Sequence, residues 1–460
     1  MHLRDYLLQT RRTLGDAWGR LAHFVVGIAY VLKPTQLLTL GFLSYVVLGV
    51  GLLSLPWAQS QSVGLLDNLF NVASAISTTG LTTVSVSDSY TFFGELVILC
   101  LFQLGGVGYM TLSSFVVLAR GQSLGGPRLG VLRTQFALPK EFNVRHFVRD
   151  VVVFTTIIEI VGTMLLYFEF RAAGVDDPLW SAAFHCVSAF ATAGFSLNND
   201  SLEGFRSNGV VGATIGVLSY LGAIGFIVIQ DIWRTARRKQ QRISFTSKVI
   251  LTVSAGILLV GTPILFFTDH SLQSLPPMER FCAATFQIMT SSTTAGFNTV
   301  PTSGLASASL ALTIVVMIVG ASPSGTGGGA KTTTVSALLA VLSTMLRGRT
   351  TVMLFRHEIP PARVLSATAA AALYLVCLAV GVFLLCLVEV HTFLEIVFEA
   401  TSALGTVGLS LGITGSLSGA GKLLVVLLMF LGRVGPLTIG LALIRRGNHP
   451  AVRRLADLAV

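Results

Sequence analysis

The sequence predicts an all-α polytopic membrane protein, and three observations carry that expectation. Hydrophobic residues make up 53% of the 460 positions and charged residues only 11%, whereas soluble chains carry about 25% charge; mean hydropathy is +0.77. Eight apolar stretches are long enough to cross a hydrocarbon core of about 30 Å as helices. A short motif also recurs four times in register along the chain. A globule with so few charges could not cover itself with polar surface.

The net charge of +10 raises nucleic acid as a partner. Yet no basic run is interleaved with stacking aromatics, and the cations flank apolar stretches, so the expected environment is lipid and no nucleic acid is expected. The cysteines Cys100, Cys186, Cys282, Cys377 and Cys386 lack metal-type spacing and read as small core residues.

Residues 1–34 alternate basic and apolar side chains without a small-residue cleavage site, and read as a cytoplasmic amphipathic arm. The apolar stretches follow near 36–55, 94–118, 148–168, 209–231, 247–267, 309–343, 366–388 and 421–444. After each odd-numbered stretch comes an apolar insert too short to span; after each even one comes a basic loop. The arm and segments 119–150, 231–248, 346–364 and 445–460 hold 25 of the 31 Lys and Arg residues but seven of the 21 acids. That bias places them, and both termini, on the cytoplasmic side of a plasma (inner) membrane. Acids such as Asp67, Asp88, Asp177, Asp200 and Glu203 gather on the other side, where they raise local cation concentration.

The four inserts align on Gly80, Gly194, Gly296 and Gly408, which are 114, 102 and 112 residues apart. Ten residues before each stands Phe70, Phe184, Phe286 or Phe398, followed by Asn71, His185, Gln287 or Glu399. Two before each stands Thr78, Thr192, Thr294 or Thr406. A second glycine recurs in the following span at Gly105, Gly222, Gly320 and Gly432. The chain therefore divides into the arm 1–34, repeats 35–120, 121–235, 236–346 and 347–446, and a cytoplasmic tail 447–460. Each repeat crosses the membrane an even number of times, so the copies face alike and are related by an axis along the membrane normal. The expected architecture is a pseudo-fourfold ring of span, pore helix and span. It has eight transmembrane helices, four re-entrant half-helices and four loops around one path.

Non-helical backbone at membrane depth is tolerated only where buried or lining a wet cavity. A half-helix aims its carboxyl end at the axis, and glycine at each corner lets successive carbonyls turn inward. Four such corners supply oxygen rings able to replace the hydration shell of a bare alkali ion.

The segments Ser77–Thr82, Ala191–Ser196, Thr293–Asn298 and Gly405–Ser410 resemble the four filter segments of the Trk/Ktr/HKT potassium transporters, over nearly the whole chain from residue 36. The resemblance implies potassium uptake, with backbone ligands from Thr78, Thr79, Gly80, Thr192, Ala193, Gly194, Thr294, Ala295, Gly296, Thr406, Val407 and Gly408. Glycine at all four corners resembles the potassium-selective members, and the chain's size resembles the Ktr membrane subunit. That likeness implies a membrane homodimer, a cytoplasmic nucleotide-binding regulatory ring and sodium as activator or symported ion. No covalent cofactor and no enzymatic activity are expected. A sodium-permeable or proton-coupled Trk-like transporter, or the potassium-translocating subunit of a pump ATPase, remain the alternatives.

In the third repeat, where the others are expected to keep an unbroken second span, six of the thirteen residues 320–332 are Gly or Pro. No stable helix survives that composition. Gly325–Thr332 nearly fits a phosphate-binding loop but fails at Ala330, and no strand precedes it. The segment is similar to the Ktr intramembrane gate, which implies gating roles for Gly325, Thr326, Gly327, Gly328, Gly329 and Lys331; a packing break is the other reading. Arg433, near the middle of the last apolar stretch, either guards the ion path or loop, or is satisfied by helix-end carbonyls. The polar column Asn71, His185, Gln287, Glu399 is read as hydrogen bonding behind the filter or as direct ion contact, and the Phe column as packing. Glu159 and Glu169 are expected at the outer interface.

Overall fold

The computed structural model describes residues 34–108, 111, 144–238 and 242–436. Most of the amino-terminal arm, the basic loop 112–143 and the tail lie outside the described residues.

Helices come in four groups of three: a long helix, a middle helix of 13 to 17 residues (called short below) and a third of 13 to 16 residues (called medium below). The first is α1 (Pro34–Leu53), α2 (Leu65–Ser77) and α3 (Phe92–Val107); the second is α4 (Val144–Ala172), α5 (Pro178–Phe190) and α6 (Gly209–Ala223), continued by α7 (Phe226–Ala236). The third is α8 (Phe245–Thr268), α9 (Pro277–Thr293) and α10 (Ser307–Val319), continued by α11 (Thr332–Leu346). After a two-residue antiparallel hairpin, β1 (Met353–Leu354) with β2 (His357–Glu358), come α12 (Pro361–Val388), α13 (Phe393–Gly405) and α14 (Gly419–Val434).

Polarity runs opposite to that of a soluble globule. The short helices are buried although they carry Asn71, Ser74, Ser77, Ser188, Gln287, Thr290, Glu399 and Ser402. Large apolar side chains face outward on the long helices, among them Val161, Leu259, Leu365 and Leu387. Such a continuous apolar exterior suits acyl chains. Helices α4, α8 and α12 are long and apolar enough to cross a bilayer unaided, and the bent pair α6–α7 qualifies as one span. This is a multi-pass helical membrane protein.

Each short helix packs on both other helices of its group. It also packs on the medium helix of the preceding group: α5 on α3, α9 on α6, α13 on α10, and α2 on α14, which closes a circle. Without a strong hydrophobic drive between helices in lipid, small residues must let backbones approach. Gly49, Gly162, Gly261 and Gly381 do this on the four long helices. A Cβ there would come within 2.7 Å of Val72, 2.6 Å of Cys186, 3.0 Å of Ile288 and 2.7 Å of Leu428.

Side chains cap five of these helix starts, at Asp177, Asn208, Ser244, Thr392 and Ser418. At α13, the Glu395 amide donates to Thr392 Oγ1 and the Thr392 amide donates to Glu395 Oε2 at 2.8 Å, a reciprocal capping box. Thr392→Ala is therefore expected to cost about 1 kcal/mol of stability, read as a lowered unfolding temperature in detergent; an unchanged temperature would show the cap to be idle.

Two sequence expectations change here. The second spans are not continuous outside the third repeat. α3, α6 and α14 give way at Gly108, Gly225 and Gly435, with φ of 88°, 90° and 88°, and α6 meets α7 at 97°. The reason is partner supply, since the freed carbonyls at the α6 end are taken up by a neighbouring loop, as described below. Nor does Glu159 lie at an outer end. It sits mid-way along α4, where the Gln103 amide donates to both carboxylate oxygens at 2.7 and 3.0 Å. Glu169, near the α4 end, accepts from Asn208.

Candidate functional site: four backbone corners and a loop beneath them

Each short helix ends the same way. Thr78, Thr192, Thr294 and Thr406 all adopt left-handed backbone, with φ of 54°, 51°, 58° and 49°. For a β-branched residue that conformation costs roughly 1–2 kcal/mol, so the surroundings must enforce it. They do so by one repeated bond. The amides of Thr79, Ala193, Ala295 and Val407 donate to the carbonyls of Ser74, Ser188, Thr290 and Ser402 at 2.8–2.9 Å. The glycines that follow also have positive φ, at 95°, 70°, 80° and 91°. The amides of Gly80 and Gly408 are further held by the hydroxyls of Ser74 and Ser402, both at 3.1 Å.

The four corners meet. A Cβ on Gly80 would fall 3.0 Å from Gly194 Cα, one on Gly194 3.1 Å from Gly296 Cα, one on Gly296 3.2 Å from Gly408 Cα, and one on Gly408 3.1 Å from Gly80 Cα. Each glycine also abuts a neighbouring corner's middle carbonyl, from Ala193, Ala295, Val407 and Thr79 in turn. All twelve predicted filter residues are thus brought to one ring. Its donors are neutral carbonyl oxygens, chemistry suited to a hard, dehydrated monovalent cation.

Behind three corners, the polar column holds the residues that follow the glycine. Asn71 Oδ1 accepts from the Thr83 amide at 3.2 Å, His185 Nε2 pairs with Ser196 Oγ at 2.9 Å, and Glu399 accepts from Ser410 at 2.8 Å and Thr414 at 2.5 Å. Gln287 is buried with neither amide atom partnered among the described residues. The four Phe are buried packing residues. Glu399→Leu leaves two hydroxyls without their acceptor and is expected to cost about 2–4 kcal/mol, with Glu399→Gln largely restoring stability. Equal unfolding temperatures for the Leu variant and wild type would rule this anchoring role out.

The Gly-rich segment lies directly against the threonines. Thr326 Oγ1 is 3.0 Å from Thr192 Oγ1, and Thr78 Oγ1 donates to the Thr326 carbonyl at 3.3 Å. Gly327 sits against the Thr294 hydroxyl and Gly328 against that of Thr406, so closely that neither glycine has room for a Cβ. Three consecutive residues thereby touch all four threonines. The loop is stitched to the α6–α7 break. The Ser322 amide donates to Ala223 and the Thr326 amide to Gly222, both at 3.0 Å, while the Phe226 amide donates to Ser324 at 3.2 Å. Lys331 Nζ folds back onto the Gly327 carbonyl at 2.6 Å. Gly325 packs on the Ala223 carbonyl, and Gly329 turns with φ +82°.

Arg433 occupies the last turn of α14, which stops at Val434. Its guanidinium donates to the carbonyls of Thr326 and Gly105 and, at 3.1 Å, to Thr78 Oγ1. It reaches the loop and is also satisfied by a helix-end carbonyl. The left-handed threonines were not foreseen, because no residue preference announces them.

The sequence model of TrkH, described as a cation transport protein, matches residues 42–451. This chain belongs to the TrkH cation transport family. The Ktr system potassium uptake protein B of Vibrio alginolyticus is 32% identical over 89% of this chain and 91% of its own length. Its namesake in Bacillus subtilis (strain 168) is 33% identical over 88% and 92%. The crystal structure of the potassium transporter TrkH from Vibrio parahaemolyticus shares the fold, with a TM-score of 0.67 at 20% identity over 88% of this chain and 84% of that one. Membership of the TrkH family, with relatives in the Ktr systems, agrees with the resemblance read from the four Thr-x-Gly segments.

Proposed function

We propose that the chain takes up potassium through one central path lined by the twelve corner residues, with the Gly-rich loop as its gate. The observation that carries this reading is the closure of four Thr-x-Gly corners into a single ring of carbonyls. The four groups of helices then act as like-facing repeats of span, re-entrant pore helix and span, disposed about a pseudo-fourfold axis, with both termini cytoplasmic. Neutral oxygens favour an alkali ion that can shed its water, and the Ktr system relatives, named as potassium uptake proteins, point to potassium.

Gly325, Thr326, Gly327, Gly328 and Gly329 block the path while Thr326–Gly328 stay seated beneath the threonines. Lys331 and Arg433 hold that closed arrangement by donating to loop carbonyls. Opening requires the loop to leave the α6 carbonyls, which water in a widened path would then satisfy. Kinship with Ktr system proteins supports a separate regulatory component; on this reading that component is a cytoplasmic nucleotide-binding ring, the chain forms a membrane homodimer and sodium activates it.

Expression in a bacterium lacking its own potassium uptake systems, with and without external sodium, tests the function. Growth and rubidium or potassium uptake at low external potassium are expected. Sodium accumulation without potassium uptake would replace this reading with the sodium-permeable one.

A further inference from the structure

Glu159 stands at the middle of the apolar stretch Phe147–Ala172 of α4, the depth at which an ionised carboxylate is most costly. Its neighbours Ile157, Ile160 and Val161 are exposed on the apolar exterior. No Lys, Arg or His pairs with it among the described residues. Its partner is the side-chain amide of Gln103 on α3, in the preceding group, whose Nε2 lies 2.7 and 3.0 Å from the two carboxyl oxygens. The oxygen of that amide is left over: Gln103 Oε1 is buried and has no donor among the described residues. The Cys186 thiol does not supply one, because it donates to the Glu159 backbone carbonyl at 3.2 Å. An ionised carboxylate only accepts and cannot relieve the stranded oxygen. A carboxylic acid can. Its O–H donates to the amide oxygen while its carbonyl accepts from the amide nitrogen, and the terminal torsions of Glu and Gln are soft enough to close that two-bond ring.

We propose that Glu159 is a proton-binding site: it holds one proton taken from water and, as the neutral acid, bridges the first and second groups of helices through Gln103. A metal ion is the competing occupant. It would need the carboxyl oxygens that the Gln103 amide already engages, and no group of three His, Cys, Asp or Glu able to hold a metal occurs among the described residues. The bridge braces a part of α3 with two further attachments. Two residues beyond Gln103, the Gly105 carbonyl accepts from Arg433. A Cβ on Gly106 would come within 2.9 Å of the Ala191 Cβ, beside the second corner. The proton site stands whether or not the Gly-rich loop is a gate.

Infrared difference spectra of the full-length protein in lipid at neutral pH, wild type minus Glu159→Gln, test the assignment. Loss of one carboxylic-acid C=O stretch, sensitive to exchange into D2O, is expected in the variant. Loss of a carboxylate stretch instead overturns the proposal, and is the outcome for an ionised Glu159 that holds a metal ion. In Gln103→Leu the acid band should move to higher frequency as its hydrogen bonds disappear; an unmoved band overturns the bridge. Wild type alone decides the matter if the variants fail to fold. Dicyclohexylcarbodiimide partitions into lipid and reacts there with a protonated acid: the O–H proton passes to a reagent nitrogen, the carboxyl oxygen bonds the central carbon, and rearrangement leaves a stable N-acylurea. Peptide mass spectrometry should find one added reagent molecule on Glu159 and none on the exposed Glu358. Absence of the adduct from Glu159 at neutral pH overturns the proposal.

Discussion

Gly408→Ala is expected to lower potassium uptake at least about tenfold, a barrier increase of roughly 1.4 kcal/mol or more, while the protein still inserts and purifies as wild type. Two effects act together. Position 408 has φ +91°, a conformation that costs an L-residue with a Cβ roughly 1–2 kcal/mol or more. The added methyl would also overlap the Thr79 carbonyl oxygen and approach Gly80 Cα to 3.1 Å. The corner must shift, and on the proposed filter role the displaced carbonyl no longer replaces a water of the ion. Gly256→Ala supplies the control, because nothing lies within 4 Å of a Cβ there; its uptake should match wild type. Radiotracer uptake measures both. Wild-type rate and ion preference in the Gly408 variant would remove the corner ring from the conduction path.

The second large effect has the opposite sign. Arg433→Gln is expected to raise resting potassium flux about tenfold. The guanidinium bonds the Thr326 carbonyl, the Gly105 carbonyl and the Thr78 hydroxyl, and a hydrogen bond to a charged group contributes about 1.5–3 kcal/mol. Loss of even one such bond shifts a closed–open equilibrium by a factor of ten or more. Deleting Gly325–Gly329 should act in the same direction. Thr326→Val keeps the carbonyl that Arg433 uses but loses the hydroxyl contacts to Thr192 and Phe190, so a smaller increase is expected. If flux through the Arg433 variant and the deletion both equalled that of wild type, the loop would be a packing feature.

Much of this was legible from residue order. Four glycines with Thr two positions earlier and Phe ten earlier announce the corners, because a repeated backbone geometry demands repeated permissive residues. The Gly and Pro content of 320–332 announces a non-helical segment. The break at Ile224–Gly225 was hidden inside an apolar stretch that reads as one span, since a single glycine costs a helix only about 1 kcal/mol. The kink is settled by donors elsewhere: the amides of Ser322 and Thr326 donate to the carbonyls that the break leaves free. The reach of Arg433 to residues 107 and 328 positions away was equally invisible, as was the position of Glu159 opposite Gln103.

Residue order alone determined the lipid environment, the fourfold recurrence and the identity of the corners, because hydropathy and steric permissiveness are properties of individual residues and short windows. Tertiary structure alone decided that the threonines are left-handed, that residues 326–328 sit against all four of them, and that two helix breaks satisfy each other. Those outcomes depend on which orphaned carbonyl meets which amide across the bundle, and a buried backbone group takes its partner from whatever the fold brings within hydrogen-bond reach.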